Sequence, residues 1–170
     1  TGVRCVEDLS LEGCRDLVSL QVTRKEQCEK SLLFVDLINC RKLSELDDSF
    51  MTHSETLQVL NLQGCSSLTK LPKNFGDLLL TDLNLSYCTK LRSLDSIVGM
   101  KNLRKMDLRN CEALTDVPPG MNDMSVLQVE DCSEVFIQES KRVLFSKQVE
   151  DEGALARLDF AEGYSRIVSL

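Results

Sequence analysis

Cysteine is the residue with the most chemistry open to it in this chain: there are eight in 170 residues, and cysteines can pair, bind zinc or act as nucleophiles. Their spacing argues against a metal. No C-x-x-C pair occurs and the single histidine is His53, so the clustered ligand set of a tetrahedral zinc site is missing. Catalysis has no better footing. There is no G-x-x-x-x-G-K-[ST] phosphate loop, no G-x-S-x-G elbow and no H-E-x-x-H helix. His53 sits in the polar stretch DDSFMTHSETL, which reads as a solvated loop, and nothing holds Asp47 and Asp48 in the geometry that acid–base work requires. The expectation is a chain that is not an enzyme, with no catalytic residue, no metal and no cofactor.

The cysteines make sense once the elements around them are laid out. Cys14, Cys40, Cys65, Cys88, Cys111 and Cys132 follow one another at intervals of 26, 25, 23, 23 and 21 residues. Each closes the same phrase, as in LQVLNLQGCSSLTKLP from Leu57, LTDLNLSYCTKLRSL from Leu80 and LRKMDLRNCEALTDVP from Leu103. Six copies of L-x-x-L-x-L-x-x-C-x-x-L-x-x-L with a period of about 20 to 29 residues define an α/β repeat, the leucine-rich-repeat solenoid. It is a curved array with short parallel strands on the concave face and loops or short helical turns on the convex face. The L-x-L core of each unit alternates with period two, a strand with one buried face. Leu9 and Leu11, Val35 and Leu37, Leu60 and Leu62, Leu83 and Leu85, Met106 and Leu108, and Leu127 and Val129 point inward, while Phe75, Val98 and Met121 are expected to plug the core from the convex side. One unit cannot bury such a face alone, and stacked neighbours can.

The six repeating cysteines then occupy one template position just after the strand, where a small side chain with a weak donor can lie against turn carbonyls of its own and the neighbouring unit. A row of equivalent thiols offers no unique pairing, so the reduced state is expected, and with it a cytoplasmic or nucleocytoplasmic location. Cys5 and Cys28 stand outside the row and have no readable role. The formal charge of −7, from 27 acidic and 20 basic residues, disfavours nucleic acid as a partner, because phosphate binding relies on clustered Lys and Arg. No apolar run is long enough to form a membrane segment. The chain starts at Thr1 and enters the repeat at once, as a piece of something larger would.

The wording of the units, above all GCSSLTKLP from Gly64 and NLSYCTKLRSL from Asn84, resembles the leucine-rich repeats of plant intracellular immune receptors of the nucleotide-binding type, particularly those with a TIR amino-terminal domain. The resemblance covers about residues 3–138. The C-x-x-L-x-x-L-P run is complete at Cys65 to Pro72 and recurs with Val117 as its last aliphatic at Cys111 to Pro118; Asp47 and Asp95 stand in the place of that proline elsewhere. The resemblance implies a neighbouring domain that binds nucleotide, kept inactive by the repeats until a ligand binds. CEALTDV from Cys111 is also similar to the repeats of F-box substrate adaptors of ubiquitin ligases, and a stand-alone repeat scaffold or effector is a further reading. All three share protein recognition.

On the concave face the polar strand residues should form columns: Ser10, Asp36, Asn61, Asn84, Asp107 and Gln128 in the middle; Asp8, Phe34, Val59, Asp82, Lys105 and Val126 before; Glu12, Ile38, Gln63, Ser86, Arg109 and Glu130 after. The partner-binding candidates are Phe34, Asp36, Ile38, Val59, Asn61, Gln63, Asp82, Asn84, Ser86, Tyr87, Arg104, Lys105, Asp107 and Arg109. Within them, Phe34, Ile38 and Val59 form an apolar spot and Arg104, Lys105 and Arg109, with Lys101 nearby, a basic spot broken by Asp107. The partner would be a protein, either an effector or an intramolecular domain. Residues 1–138 are assigned to the solenoid and 139–170 to a cap or the start of a following domain. Val135, Phe136, Ile137, Val143, Leu144, Phe145, Leu155, Leu158 and Phe160 supply apolar cover for the open end, and ALARLDFAEGYSRIV is either a short helix or a pair of strands around Gly163.

Overall fold

The computed structural model describes residues 7–21, 32–52, 54–119, 121, 124–148, 158–161 and 164–168; Cys5, Cys28, His53, Leu155 and Gly163 lie outside them. The elements run β1 (Asp8–Ser10), β2 (Ser19–Leu20), β3 (Phe34–Asp36), β4 (Glu45–Leu46), α1 (Asp48–Thr52), β5 (Val59–Asn61), β6 (Asp82–Asn84), β7 (Lys105–Asp107), β8 (Val126–Gln128), α2 (Glu134–Gln148), β9 (Leu158–Ala161) and β10 (Tyr164–Val168). The six L-x-L phrases become β1, β3, β5, β6, β7 and β8, parallel and in exact repeat register: Leu9, Val35, Leu60, Leu83, Met106 and Leu127 stand side by side. The expected inward faces are correct. From Val35 to Val129 every one of those residues is buried, while Leu9 and Leu11, in the end unit, are only partly covered.

Each strand stops after three residues because the chain then turns through a left-handed position. Gly13, Asn39, Gly64, Tyr87, Asn110 and Asp131 all have φ between 56° and 73°, a conformation that Gly and, less readily, Asn and Asp accept. The ladder still continues across the turn, since Asn39 N donates to Gln63 O, Gly64 N to Ser86 O and Tyr87 N to Arg109 O, each at 2.8 Å. Just beyond lies the cysteine row. The thiols of Cys40, Cys65, Cys88, Cys111 and Cys132 donate to the carbonyl oxygens of Leu11, Leu37, Leu62, Leu85 and Leu108, one unit back, at 2.9 to 3.3 Å. Cys14 departs from the expected ladder: it is exposed, because no earlier unit stands over it among the described residues.

On the convex side Phe75 and Met121 plug the core as expected, and Val98 does not. Val98 is 49% exposed while Ile97 takes the buried place, because the 3₁₀ turn Asp95–Ile97 rotates the inward position one residue earlier. That turn stacks on the preceding one, Phe75–Asp77, so closely that a Cβ on Gly76 would collide with the carbonyl oxygen of Val98. Asp47, standing in the place of the proline, starts α1 instead: its carboxylate accepts the Ser49 N–H at 2.8 Å.

In the segment expected to cover the end of the array, Ser133 caps α2 by accepting the Phe136 N–H at 3.2 Å and itself donates to the Leu114 carbonyl. Phe136 is buried and Ile137 and Val143 are half-buried, whereas Val135 points to solvent. The open choice for ALARLDFAEGYSRIV resolves to strands. β10 pairs antiparallel with β8 and with β9, so the eight-stranded sheet runs β1-β3-β5-β6-β7-β8-β10-β9, and the β8 edge is not left as an open template for pairing.

Candidate partner-binding face

Because strand residues alternate between faces and the register is shared, the residues on either side of each buried one form two columns on the concave face. One is Asp8, Phe34, Val59, Asp82, Lys105 and Val126; the other is Ser10, Asp36, Asn61, Asn84, Asp107 and Gln128. The second column has a structural duty that the sequence reading missed. Side-chain oxygens of Asp36, Asn61, Asn84 and Asp107 accept the backbone N–H two residues on, from Ile38, Gln63, Ser86 and Arg109, at 2.9 to 3.2 Å. These are turns stabilised by Asp or Asn, and they set up the left-handed residue that follows. The signal was present in the sequence as Asp or Asn three places before Asn39, Gly64, Tyr87 and Asn110.

The structure brings part of the candidate set together. A shallow groove of about 230 Å³ runs across β5 to β8 and is lined by Val59, Asn61, Asp82, Asn84, Lys105 and Asp107, together with Val126 and Gln128, which were in the columns but not among the candidates. Phe34 lies beside Val59 in register at one end of it, and Phe34, Ile38 and Val59 are half-buried, so the apolar spot is modest. Gln63 accepts from the Asn84 amide at 3.5 Å. The basic spot is split, with two of its four cations paired. Lys105 Nζ sits 3.4 Å from Asp82 Oδ1, its neighbour in the ladder, and Arg109 is held through Nε and Nη2 by both carboxylate oxygens of Asp107, the shortest contact being 2.6 Å. Those hydrogen bonds, more than the charge of Glu130 nearby, push the Arg109 guanidinium further up. Arg104 is exposed and lines a different pocket.

Ser86 is a correction. It was expected on the solvent face and is fully buried. The side-chain Oδ1 of Asn84 accepts both its N–H, at 2.9 Å, and its hydroxyl, at 2.7 Å, which folds this short side chain inward at a position where the longer Ile38, Gln63 and Arg109 stay half-buried. Tyr87, beside it, is 49% exposed and is the one bulky residue in the left-handed column.

The model of the Leucine Rich Repeat family matches residues 56–78, the third unit and the passage into the fourth. The chain is a leucine-rich-repeat solenoid. Its repeats resemble those of plant disease resistance proteins. The disease resistance protein RPS4B of Arabidopsis thaliana is 34% identical over 115 residues, 66% of this chain. In the same plant, RPP2A is 32% identical over 114 residues, also 66% of the chain, and the disease resistance-like protein DSC1 is 34% identical over 137 residues, or 76%. The solenoid spans only 9%, 8% and 11% of those relatives' lengths, so what their other parts do lies outside this comparison.

Proposed function

We propose that this solenoid is the recognition and regulatory repeat region of an intracellular receptor of the plant innate-immunity type, and that its concave face binds a protein, either an effector or another domain of the same polypeptide. The observation that carries the reading is the groove over β5 to β8. It offers Val59 and Val126 as apolar contacts between ordered polar groups, in a repeat array that matches disease resistance proteins over most of its length. A surface of mixed character, with its charges already paired, recognises by shape and pattern. In this proposal the repeats through β8 form the binding array; α2 (Glu134–Gln148) runs unbroken across the boundary expected at residues 138 and 139, so the cap or the start of the next domain begins with that helix. The proposal includes no catalytic role, no cofactor and no nucleic-acid ligand. Among the described residues no helix is long and apolar enough to cross a membrane. A cytoplasmic or nucleocytoplasmic site suits a row of free thiols employed as hydrogen-bond donors, which an oxidising compartment would put at risk.

Sequencing the transcript on both sides of the segment encoding this chain tests the reading. A nucleotide-binding domain with a phosphate loop is the expected result, and the chain should then bind that domain in trans, more weakly after Asp82→Arg. An F-box segment in its place overturns the receptor assignment.

A further inference from the structure

Between the fifth and sixth units, on the side where each outer segment returns to its strand, a second pocket of about 340 Å³ opens. It shares no lining residue with the concave groove. Met100 and Met124 line it half-buried and Pro119 exposed, with the core residues Ile97 and Met121 beneath them. Thioether side chains are unbranched and polarisable, and adapt to irregular apolar guests. Lys101 and Arg104 stand exposed on the same lining. Among the described residues neither has a carboxylate partner, whereas Lys105 and Arg109 close by each hold one. In a chain of net charge −7, two unpaired cations on the lining of one pocket of mixed polar and apolar surface are an exception. The frame is anchored, because the Arg104 carbonyl accepts the N–H groups of Ser125 and Val126 at 2.8 and 2.9 Å and so ties the two units that make the walls.

We propose that this pocket binds a small organic anion, a carboxylate carried on an aromatic or branched aliphatic body. Met100, Met124 and Pro119 flank the body and Lys101 and Arg104 receive the carboxylate. The volume lies within the range of small-molecule sites, about 300–1,000 Å³, and the placing of cations beside apolar surface is the complement of such a ligand.

The test uses the 170-residue chain with carbon-13 methyl-labelled methionine, titrated with 4-phenylbutyrate and followed by NMR. The methyl signals of the half-buried Met100 and Met124 are expected to shift and saturate while that of Met106, inside the core, stays in place. The neutral amide 4-phenylbutanamide should bind about tenfold more weakly, the equivalent of about 1.4 kcal/mol. The double variant Lys101→Glu/Arg104→Glu, both at exposed positions, should lose the preference for the carboxylate at an unchanged urea midpoint. Equal binding of acid and amide by the unaltered chain, or no saturable shift with either, overturns the proposal. Tighter binding of a capped acidic-aromatic tetrapeptide than of 4-phenylbutyrate overturns the small-molecule assignment and makes the pocket a polypeptide site.

Discussion

The thiol of Cys88 donates to the carbonyl oxygen of Leu62, 3.3 Å away in the preceding unit, and that same oxygen accepts the backbone N–H of Cys65 at 3.1 Å. One oxygen therefore closes the turn of its own unit and ties on the next. Repeated at Leu11, Leu37, Leu85 and Leu108, this is a covalent-free seam along the array, and it explains why one small residue with a weak donor recurs at that place.

Cys88→Ala removes a buried sulfur and a donor. It should lower stability by about 2 kcal/mol, combining a small cavity with a lost hydrogen bond. Cys14→Ala, at the exposed end of the row, should stay within about 0.5 kcal/mol of the parent. Urea midpoints compare the two directly, and equal effects would deny the seam an energetic role.

Burial pushes the Cys65 thiol up to about 12 and that of Cys132 to about 11, and raises Cys40, Cys88 and Cys111 as well. A thiol whose folded value exceeds its unfolded one, about 8.5, contributes its full stability below the unfolded value and loses it as the pH rises through the folded one. Stability should therefore fall between about pH 9 and 12, by about 1.4 kcal/mol per pH unit for a thiol as deeply buried as Cys65. Urea melts at pH 7, 9, 10 and 11 read this out, and Cys65→Val should flatten the slope. In native protein at pH 8, iodoacetamide should modify Cys14 quickly and the five buried or half-buried ladder thiols only after denaturant is added. Rapid labelling of Cys88 without denaturant would contradict the seam.

Leu85→Asp should abolish cooperative folding, because it buries an unpaired charge in the central unit. Ser86→Asp, which the sequence alone would place harmlessly in solvent, should also cost several kcal/mol. The new carboxylate would replace a fully buried hydroxyl and face the Asn84 oxygen that this hydroxyl now satisfies. Lys90→Asp, at an exposed position, serves as the control. A urea midpoint for Ser86→Asp equal to that of the control would return Ser86 to the surface.

Tyr87 holds φ at 61° in a column otherwise made of Gly, Asn and Asp. Tyr87→Asn should raise stability by about 1 kcal/mol, the cost of a left-handed conformation for a residue that resists it. Thermal unfolding of the two proteins measures it. A gain in stability would mark Tyr87 as a residue kept for its exposed ring, consistent with a contact role; no gain would remove the reason for singling it out.

Much of the architecture was legible because it is local and repeated. The six strands, the inward aliphatics and the cysteine row follow from alternation and period, and the structure reproduces them down to the register of Leu9 with Leu127 four strands between. The misplacements came where position depends on how a neighbouring unit packs. Val98 yielded its place to Ile97 because stacked 3₁₀ turns shift the phase by one residue, and Cys14 lost its burial because the end unit has nothing over it among the described residues. The candidate face was legible as columns but not as a site: Arg104, grouped with Lys105 and Arg109 by nearness in sequence, faces another pocket.

The spacing of leucines and cysteines by itself determined that this chain is a stacked array, which residues build its core and which columns meet solvent. A unit with one apolar face has no other way to bury it. Only the tertiary structure decided which outward groups remain available. Asp82 with Lys105 and Asp107 with Arg109 neutralise each other, Asn84 draws Ser86 inside, and Lys101 and Arg104 are left unpaired on a pocket of mixed lining, because those outcomes depend on distances of a few ångströms between and within units that a one-dimensional pattern does not encode.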